Sequence, residues 1–187
     1  MTTQSFRAAG WIAVLAILAF IAEIIVTLAL ELPNYAELIP PFSAPLLLAV
    51  HITLASYAMY RLRALLNEKY EYHGADSLIS ILIGVGILFA LILIGTRQYA
   101  NNTVTLVAML GVGLPLSAVS MLFGYRLLGV DYAIGGYRKP FAFAHIFAPI
   151  CFLTVVLAPA GLLLLVAAQI LLALMFFNDE EIELEFV

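Results

Sequence analysis

Long stretches without charged residues constrain this chain more than any other feature. The run from Phe141 to Phe177 contains no Asp, Glu, Lys or Arg, and the run from Ser77 to Thr96 has no ionisable residue at all. Uncharged apolar runs of 18 or more residues are typical of transmembrane helices. Only 11% of the residues are charged, against about a quarter in soluble domains. The composition therefore predicts a single transmembrane domain, residues 1–187, that has lipid as its main solvent.

The apolar runs and the loops between them predict an all-α bundle of six transmembrane helices. Four spans are separated by polar loops: Ala8–Leu30, Ala44–Arg63, Ser77–Thr96 and Val104–Leu128. Phe141–Phe177 is too long for one span. We expect its Ala158–Gly161 segment, which contains a proline and a glycine, to break it into spans five and six. An acidic tail, Asn178–Val187, follows the sixth span.

Basic residues lie almost entirely at one end of the predicted spans. Seven of the eight share that end: Arg7, Arg61, Arg63, Lys69, Arg126, Arg138 and Lys139. Only Arg97 falls at the other end. Because loops rich in Lys and Arg remain in the cytoplasm, this asymmetry predicts a multi-pass protein of the cell membrane with both termini cytoplasmic.

Two histidines fall at membrane depth. The segments HITLASYAMYRLR and KPFAFAHIFAPICF each place a histidine among small residues, with basic residues at one end. They resemble the haem-ligating helices of b-type membrane cytochromes. The resemblance implies that His51 and His145 are the axial ligands of a haem b iron. At a helical rise of ~1.5 Å per residue, the two histidines differ in height by about 10 Å. This offset argues against a single haem bound by both. The alternative is that each histidine bonds to a neighbouring helix.

An acidic residue inside the first span suggests a second site. Glu23 precedes Thr27 by one helical turn and lies near the expected height of His51. A carboxylate beside an imidazole in lipid can share a proton or bind a polar headgroup such as a quinone carbonyl. With Gln169 of the sixth span, these residues are candidates for a proton, quinone or substrate site, or for simple interhelical hydrogen bonds. Because of its expected acidic partner, we predict that His51 matters more than His145.

Several functional classes have no support in the sequence. The spans contain no pair of aspartates, and the chain has no HExxH motif, no phosphate-binding loop and no basic patch suited to nucleic acid. A single cysteine, Cys151, excludes an internal disulfide. The sequence therefore carries no signature of a self-contained hydrolase or transferase.

Three functions remain open. The first is a membrane subunit of an electron-transfer assembly, with haem b or a bound quinone. The second is a small-solute or ion transporter or channel, in which Glu23 and His51 couple protons to movement. The third is a non-catalytic scaffold subunit. Small-residue faces on spans one, three and four predict a stable partner, either other membrane subunits or a second copy.

Overall fold

The computed structural model describes residues 6–96, 102–130 and 136–184, and these residues form helices joined by short connections. The elements are α1 (Arg7–Leu30), α2 (Pro33–Ala36), α3 (Ser43–Tyr70), α4 (Asp76–Thr96), α5 (Asn102–Leu128), α6 (Arg138–Leu153), a 3₁₀ turn (Val155–Leu157) and α7 (Ala158–Leu184). Arg97, which the orientation argument uses, lies outside the described residues. The prediction of an all-α chain is confirmed.

The six long helices form a closed ring. Helix α3 packs between α1 and α4, α5 packs between α4 and α6, and α7 packs between α6 and α1. Each long helix therefore contacts its neighbours in the sequence, and the last contacts the first. Short connections favour this arrangement because they place consecutive helices side by side and antiparallel.

Five of these helices are long and apolar enough to cross a membrane: Arg7–Leu30, Ser43–Tyr70, Asp76–Thr96, Leu110–Leu128 and Ala158–Asn178. The outward surface carries many exposed large apolar side chains, such as Leu18, Leu91 and Leu163. The sixth long helix, α6, has only 16 residues, which extend about 24 Å at the usual rise. It is shorter than the roughly 30 Å hydrocarbon core of a bilayer.

Small residues of α1 and α3 face the inside of the ring. Ala9, Ala13 and Ala16 of α1 are each about 1% exposed, and α1 packs on α3 and α7. On α3, Ala44, His51 and Ala58 are buried along one face. Small side chains let neighbouring backbones approach closely, which is how helices associate where lipid supplies no hydrophobic driving force.

Two predicted boundaries are displaced. The break after the fifth span lies at 154–157, and Ala158–Gly161 forms the first turn of α7 instead. Proline is tolerated there because first-turn amides have no helical acceptor. The second is the end of the predicted span Ala44–Arg63: α3 continues to Tyr70, where Glu71 adopts a left-handed conformation (φ 48°) and the amide of Tyr72 bonds back to the carbonyl of Leu66 at 2.9 Å.

A clamp of polar side chains fixes the α3–α4 connection. Arg63 Nε lies 3.2 Å from Asp76 Oδ1, and Asn67 Nδ2 donates to Asp76 Oδ2 at 3.0 Å. Asp76 also begins α4, where a carboxylate is stabilised by the positive end of the helix dipole. These contacts hold the two helices antiparallel at this end of the ring.

The close-packed core lies in the half of the bundle that carries both termini. Its largest fully buried side chains are Leu62, Leu65, Leu66, Ile79, Phe123, Leu127, Phe141, Met175 and Phe176. All of them come from the halves of α3 to α7 that are nearest this end. Above this core, toward mid-depth, the helices diverge around a cavity.

Candidate ligand-binding site

A central cavity of about 170 Å³ lies at mid-depth in the ring. Five helices line it: Ala13 and Ala16 from α1, Ile52, Ala55, Ser56, Ala58 and Met59 from α3, Leu82, Ile83 and Gly86 from α4, Phe141 and His145 from α6, and Leu165, Ala168, Gln169 and Leu172 from α7. Phe141 also belongs to the packed core, so the core forms one end of the cavity.

The size and walls of the cavity suit one small ring system. Apolar cavities of roughly 150 Å³ in other proteins hold a benzene molecule. The lining here is almost wholly aliphatic or aromatic, with Ser56, His145 and Gln169 as its polar side chains. A few polar groups in an apolar pocket are the usual composition of a small-molecule site. A haem, with four pyrrole rings, is several times larger than this space.

Among the residues that line the cavity, Gln169 has an unsatisfied polar atom. Its side-chain Oε1 is buried and has no hydrogen-bond partner among the described residues. A buried polar atom without a partner costs about 1–3 kcal/mol. Native proteins rarely keep such groups without a reason. A bound molecule that donates an O–H or N–H to Oε1 would remove this cost.

His145 is held firmly from the side of α5. The Ser120 hydroxyl donates to the backbone carbonyl of His145 at 3.1 Å, and Ser120 Oγ lies 3.0 Å from His145 Nδ1. That carbonyl needs an outside donor because Pro149, four residues later, has no N–H to complete the helical bond. The rings of Phe123 and Phe141 pack edge-on against the imidazole, with centroids 5.0 and 4.7 Å away.

These bonds determine which nitrogen of His145 carries the proton. Since the Ser120 hydroxyl hydrogen goes to the carbonyl, Ser120 Oγ accepts from His145 Nδ1–H. In the neutral imidazole the other nitrogen, Nε2, then holds a lone pair. His145 is also one of the residues that line the cavity.

His51 bonds to a neighbouring helix, as the alternative interpretation of its sequence predicts. Its Nδ1 donates to the carbonyl of Ala16 at 3.1 Å, and its ring stacks on Phe20 with centroids 4.7 Å apart. Ala16 lines the cavity, and His51 does not. His51 therefore lies in the α1–α3 contact, outside the cavity, and bonds to Ala16, a residue of the cavity wall.

Glu23 is bonded within its own helix. The Thr27 hydroxyl donates to Glu23 Oε1 at 3.2 Å. Glu23 lies seven residues beyond Ala16, which is about 10 Å along α1, and the donor of His51 goes to Ala16. The structure thus joins Glu23 to Thr27 and brings neither of them to the cavity wall. A proton-coupling role for Glu23 stays a prediction.

The geometry bears on the haem hypothesis through the ring nitrogens. Both histidines use Nδ1 as a donor and so keep Nε2 unprotonated, as metal-bound histidines do. However, His51 is bonded to α1 and His145 is bonded to α5. The two histidines therefore lie in different helix–helix contacts of the ring. In the part of the chain that the structure describes, no three His, Cys, Asp or Glu side chains lie together as a metal site.

Replacing Ser120 with alanine should loosen the α5–α6 contact. The change leaves both His145 Nδ1 and the carbonyl freed by Pro149 without their partner, so we expect a loss of about 1–3 kcal/mol in the free energy of unfolding. Ser117→Ala is the matched control, because Ser117 lies one turn away on α5 and is expected to change stability by less than about 0.5 kcal/mol. Melting curves of both variants in one detergent check this; equal losses would contradict the bonding described here.

Sequence reasoning missed two residues of the site. Neither Ser56 nor Ser120 was among the candidate site residues predicted from the sequence. A signal for Ser120 was present: the spacing of His145 and Pro149 leaves one carbonyl without a helical donor, and a hydroxyl on the neighbouring helix can bond to it. Nothing in the sequence marks Ser56 as a cavity residue.

The chain was also compared with known proteins. No protein-family model matches it, and neither the curated proteins nor the solved structures compared with it show a significant similarity. The function is therefore inferred from the geometry of the cavity.

Proposed function

We propose that this protein binds a quinol in its central cavity, as the membrane subunit of an electron-transfer assembly. Two observations carry the proposal: the apolar cavity, which Gln169 helps to line, is sized for one six-membered ring, and the Oε1 of Gln169 is buried without a partner. A quinol offers such a ring together with O–H donors. Its isoprenoid chain is as apolar as the lipid-facing surface of the helices.

Each polar group of the cavity has a distinct role in this proposal. Gln169 Oε1 accepts a hydrogen bond from one quinol hydroxyl. His145 Nε2 accepts the other and takes that proton as the quinol gives one electron to a redox centre of a partner subunit, which leaves a neutral semiquinone in the cavity. Ser120 positions His145, because its bond to Nδ1 keeps the lone pair that accepts the quinol hydrogen bond on Nε2.

A pair of matched ligands tests the proposal. A short-chain quinol and its dimethyl ether have similar shape and apolar area, but only the quinol has O–H donors. We expect the quinol to raise the melting temperature of the purified protein and the dimethyl ether to do so much less, since the ether leaves Gln169 Oε1 unpaired. Equal shifts, or no shift with the quinol, would reject a hydrogen-bonded quinol site.

Six spans with both termini in the cytoplasm complete this proposal. The support is the place of α6 in the ring, between α5 and α7, and the basic residues at the end that carries the termini. Two of these, Arg61 and Arg138, are buried there. Loops rich in such residues remain cytoplasmic.

Single-cysteine labelling tests this topology. Tyr35 is exposed beside the end of α1, and His73 is exposed between α3 and α4. In a Cys151→Ala background, we expect an impermeant maleimide to label Tyr35→Cys in intact cells and to label His73→Cys only after permeabilisation. Labelling of both from the same side would refute the topology.

Haem b is the second candidate, favoured by the free Nε2 of both histidines. An absorption spectrum separates it from the quinol proposal. A Soret band that shifts on reduction, and that both His51→Gln and His145→Gln remove, would favour haem ligation. A colourless protein that still responds to quinol would favour the cavity site alone.

The assembly also implies a neighbouring subunit. Gly84 of α4 and Gly111 of α5 have open space where a side chain would stand, so a further helix can approach their backbones closely. Gentle extraction followed by affinity purification should recover a redox subunit with this chain.

A further inference from the structure

An isolated buried cation lies at the start of α6. Arg138 is only 7% exposed, and its Nε and Nη1 are buried without a hydrogen-bond partner among the described residues. A buried charge without a partner of opposite charge has a high cost in free energy, as the removal of one member of a buried ion pair shows. An unpaired guanidinium in such a position therefore calls for an anion.

The backbone beside Arg138 is also suited to an anion. Tyr137, the residue before α6, makes no side-chain cap, and Pro140 has no N–H, so the amides of Arg138 and Lys139 are the two that the positive end of the helix dipole can present to an anion. Gly136 has a left-handed φ of 73°, and Tyr137 follows in the right-handed region. When a left-handed residue is followed by a right-handed one, the successive backbone N–H groups point to the same side and form an anion-binding nest.

The direction of the side chain brings these features together. Side chains on a helix lean toward its N-terminus, and Arg138 is the first residue of α6, so its guanidinium is expected on the N-terminal side of the helix, beside Gly136 and Tyr137. Lys139, the next residue, is exposed and adds a second positive charge. The fork of an arginine binds two oxygens of one tetrahedral anion at once.

From these observations we propose that Arg138 and the start of α6 bind a phosphate group, independently of the central cavity. In a membrane the phosphate can belong to an anionic phospholipid or to a soluble phosphate compound. Basic sites between transmembrane helices commonly hold lipid headgroups. The proposal does not rest on quinol binding.

Four proteins allow a matched test. Arg138→Gln removes the charge, and Arg138→Lys keeps the charge but removes the fork. Arg126→Gln is the control for charge, because Arg126 is an exposed basic residue near the end of α5. Each is compared with the parent as delipidated protein in detergent. The probes are phosphatidylglycerol, phosphatidylcholine, and inorganic phosphate with sodium chloride of equal ionic strength as its control.

We expect phosphatidylglycerol to raise the melting temperature of the parent and of Arg126→Gln, and to remain bound to both in native mass spectrometry. Arg138→Gln should hold it about tenfold more weakly, and Arg138→Lys should be intermediate, since hydrogen bonds to charged groups are the strong ones. A response to inorganic phosphate as well identifies a soluble ligand; a response to the lipid alone identifies a headgroup site.

Two results would overturn the proposal. One is an equal response of the parent and the Arg138 variants to every probe. The other is a parent that responds to no probe while Arg138→Gln still loses stability, which would assign Arg138 a partner inside the chain. If Arg138→Gln does not fold, Arg138→Lys measured against Arg126→Lys decides between these outcomes.

Discussion

Replacing Gly124 with alanine is expected to destabilise the protein by about 1–3 kcal/mol, the usual cost of overpacking a close contact. Gly124 lies where α5 meets α6. A Cβ placed there would stand 2.5 Å from the carbonyl oxygen of Ala142 and 2.8 Å from Cγ1 of Ile146. The carbonyl is part of the α6 backbone and cannot rotate away, so the two helices must separate.

The matched control for this change is Gly111→Ala on the same helix. A Cβ at Gly111 meets nothing within 4 Å, and alanine is favoured over glycine inside a helix by roughly 0.5–1 kcal/mol. The same substitution should therefore raise stability at 111 and lower it at 124. Melting temperatures in one detergent measure both, and a loss of equal size at the two positions would contradict the packing of α5 on α6.

Replacing Gln169 with leucine should change stability and binding in opposite directions. Leucine removes the unpartnered buried oxygen, so the ligand-free protein should gain about 1 kcal/mol. The quinol loses the same acceptor, and its affinity should fall about tenfold or more, because 1.4 kcal/mol corresponds to a factor of ten. A residue that only packed helices together would not produce this combination.

Leu165→Met is the control for the Gln169 variant. Leu165 lines the same cavity, and a leucine-to-methionine change conserves volume and costs less than about 1.5 kcal/mol. We expect this variant to bind quinol as the parent does. A Gln169→Leu protein that is less stable than the parent, or that binds quinol equally well, would argue against the site.

The helices themselves could be predicted well from the sequence, because charge-free runs in lipid permit few other structures. The predicted first span, Ala8–Leu30, differs from α1 by one residue. The inward alanine face of α1 was also predictable from helical spacing. The break after α6 was displaced because proline and glycine fit the first turn of a helix as well as they end one.

The site was predicted less well, because side-chain partners depend on how helices rotate in the ring. His51 and Glu23 share a depth by simple counting, yet His51 turns toward the Ala16 carbonyl. His145 was ranked second and is the histidine that lines the cavity. We therefore expect His145→Gln to weaken quinol binding more than His51→Gln does, which is the reverse of the order predicted from the sequence.

Photoaffinity mapping tests the central claim most directly. Protein in lipid nanodiscs is illuminated with a photoreactive azidoquinone in its reduced form, and the labelled peptides are identified by mass spectrometry. A quinol bound in the cavity should give adducts within residues 52–59 of α3 and 165–172 of α7, the segments that contribute to the cavity lining. Excess unlabelled quinol should suppress these adducts. Adducts spread over the lipid-facing positions such as Leu91 and Leu163, unaffected by competitor, would contradict it.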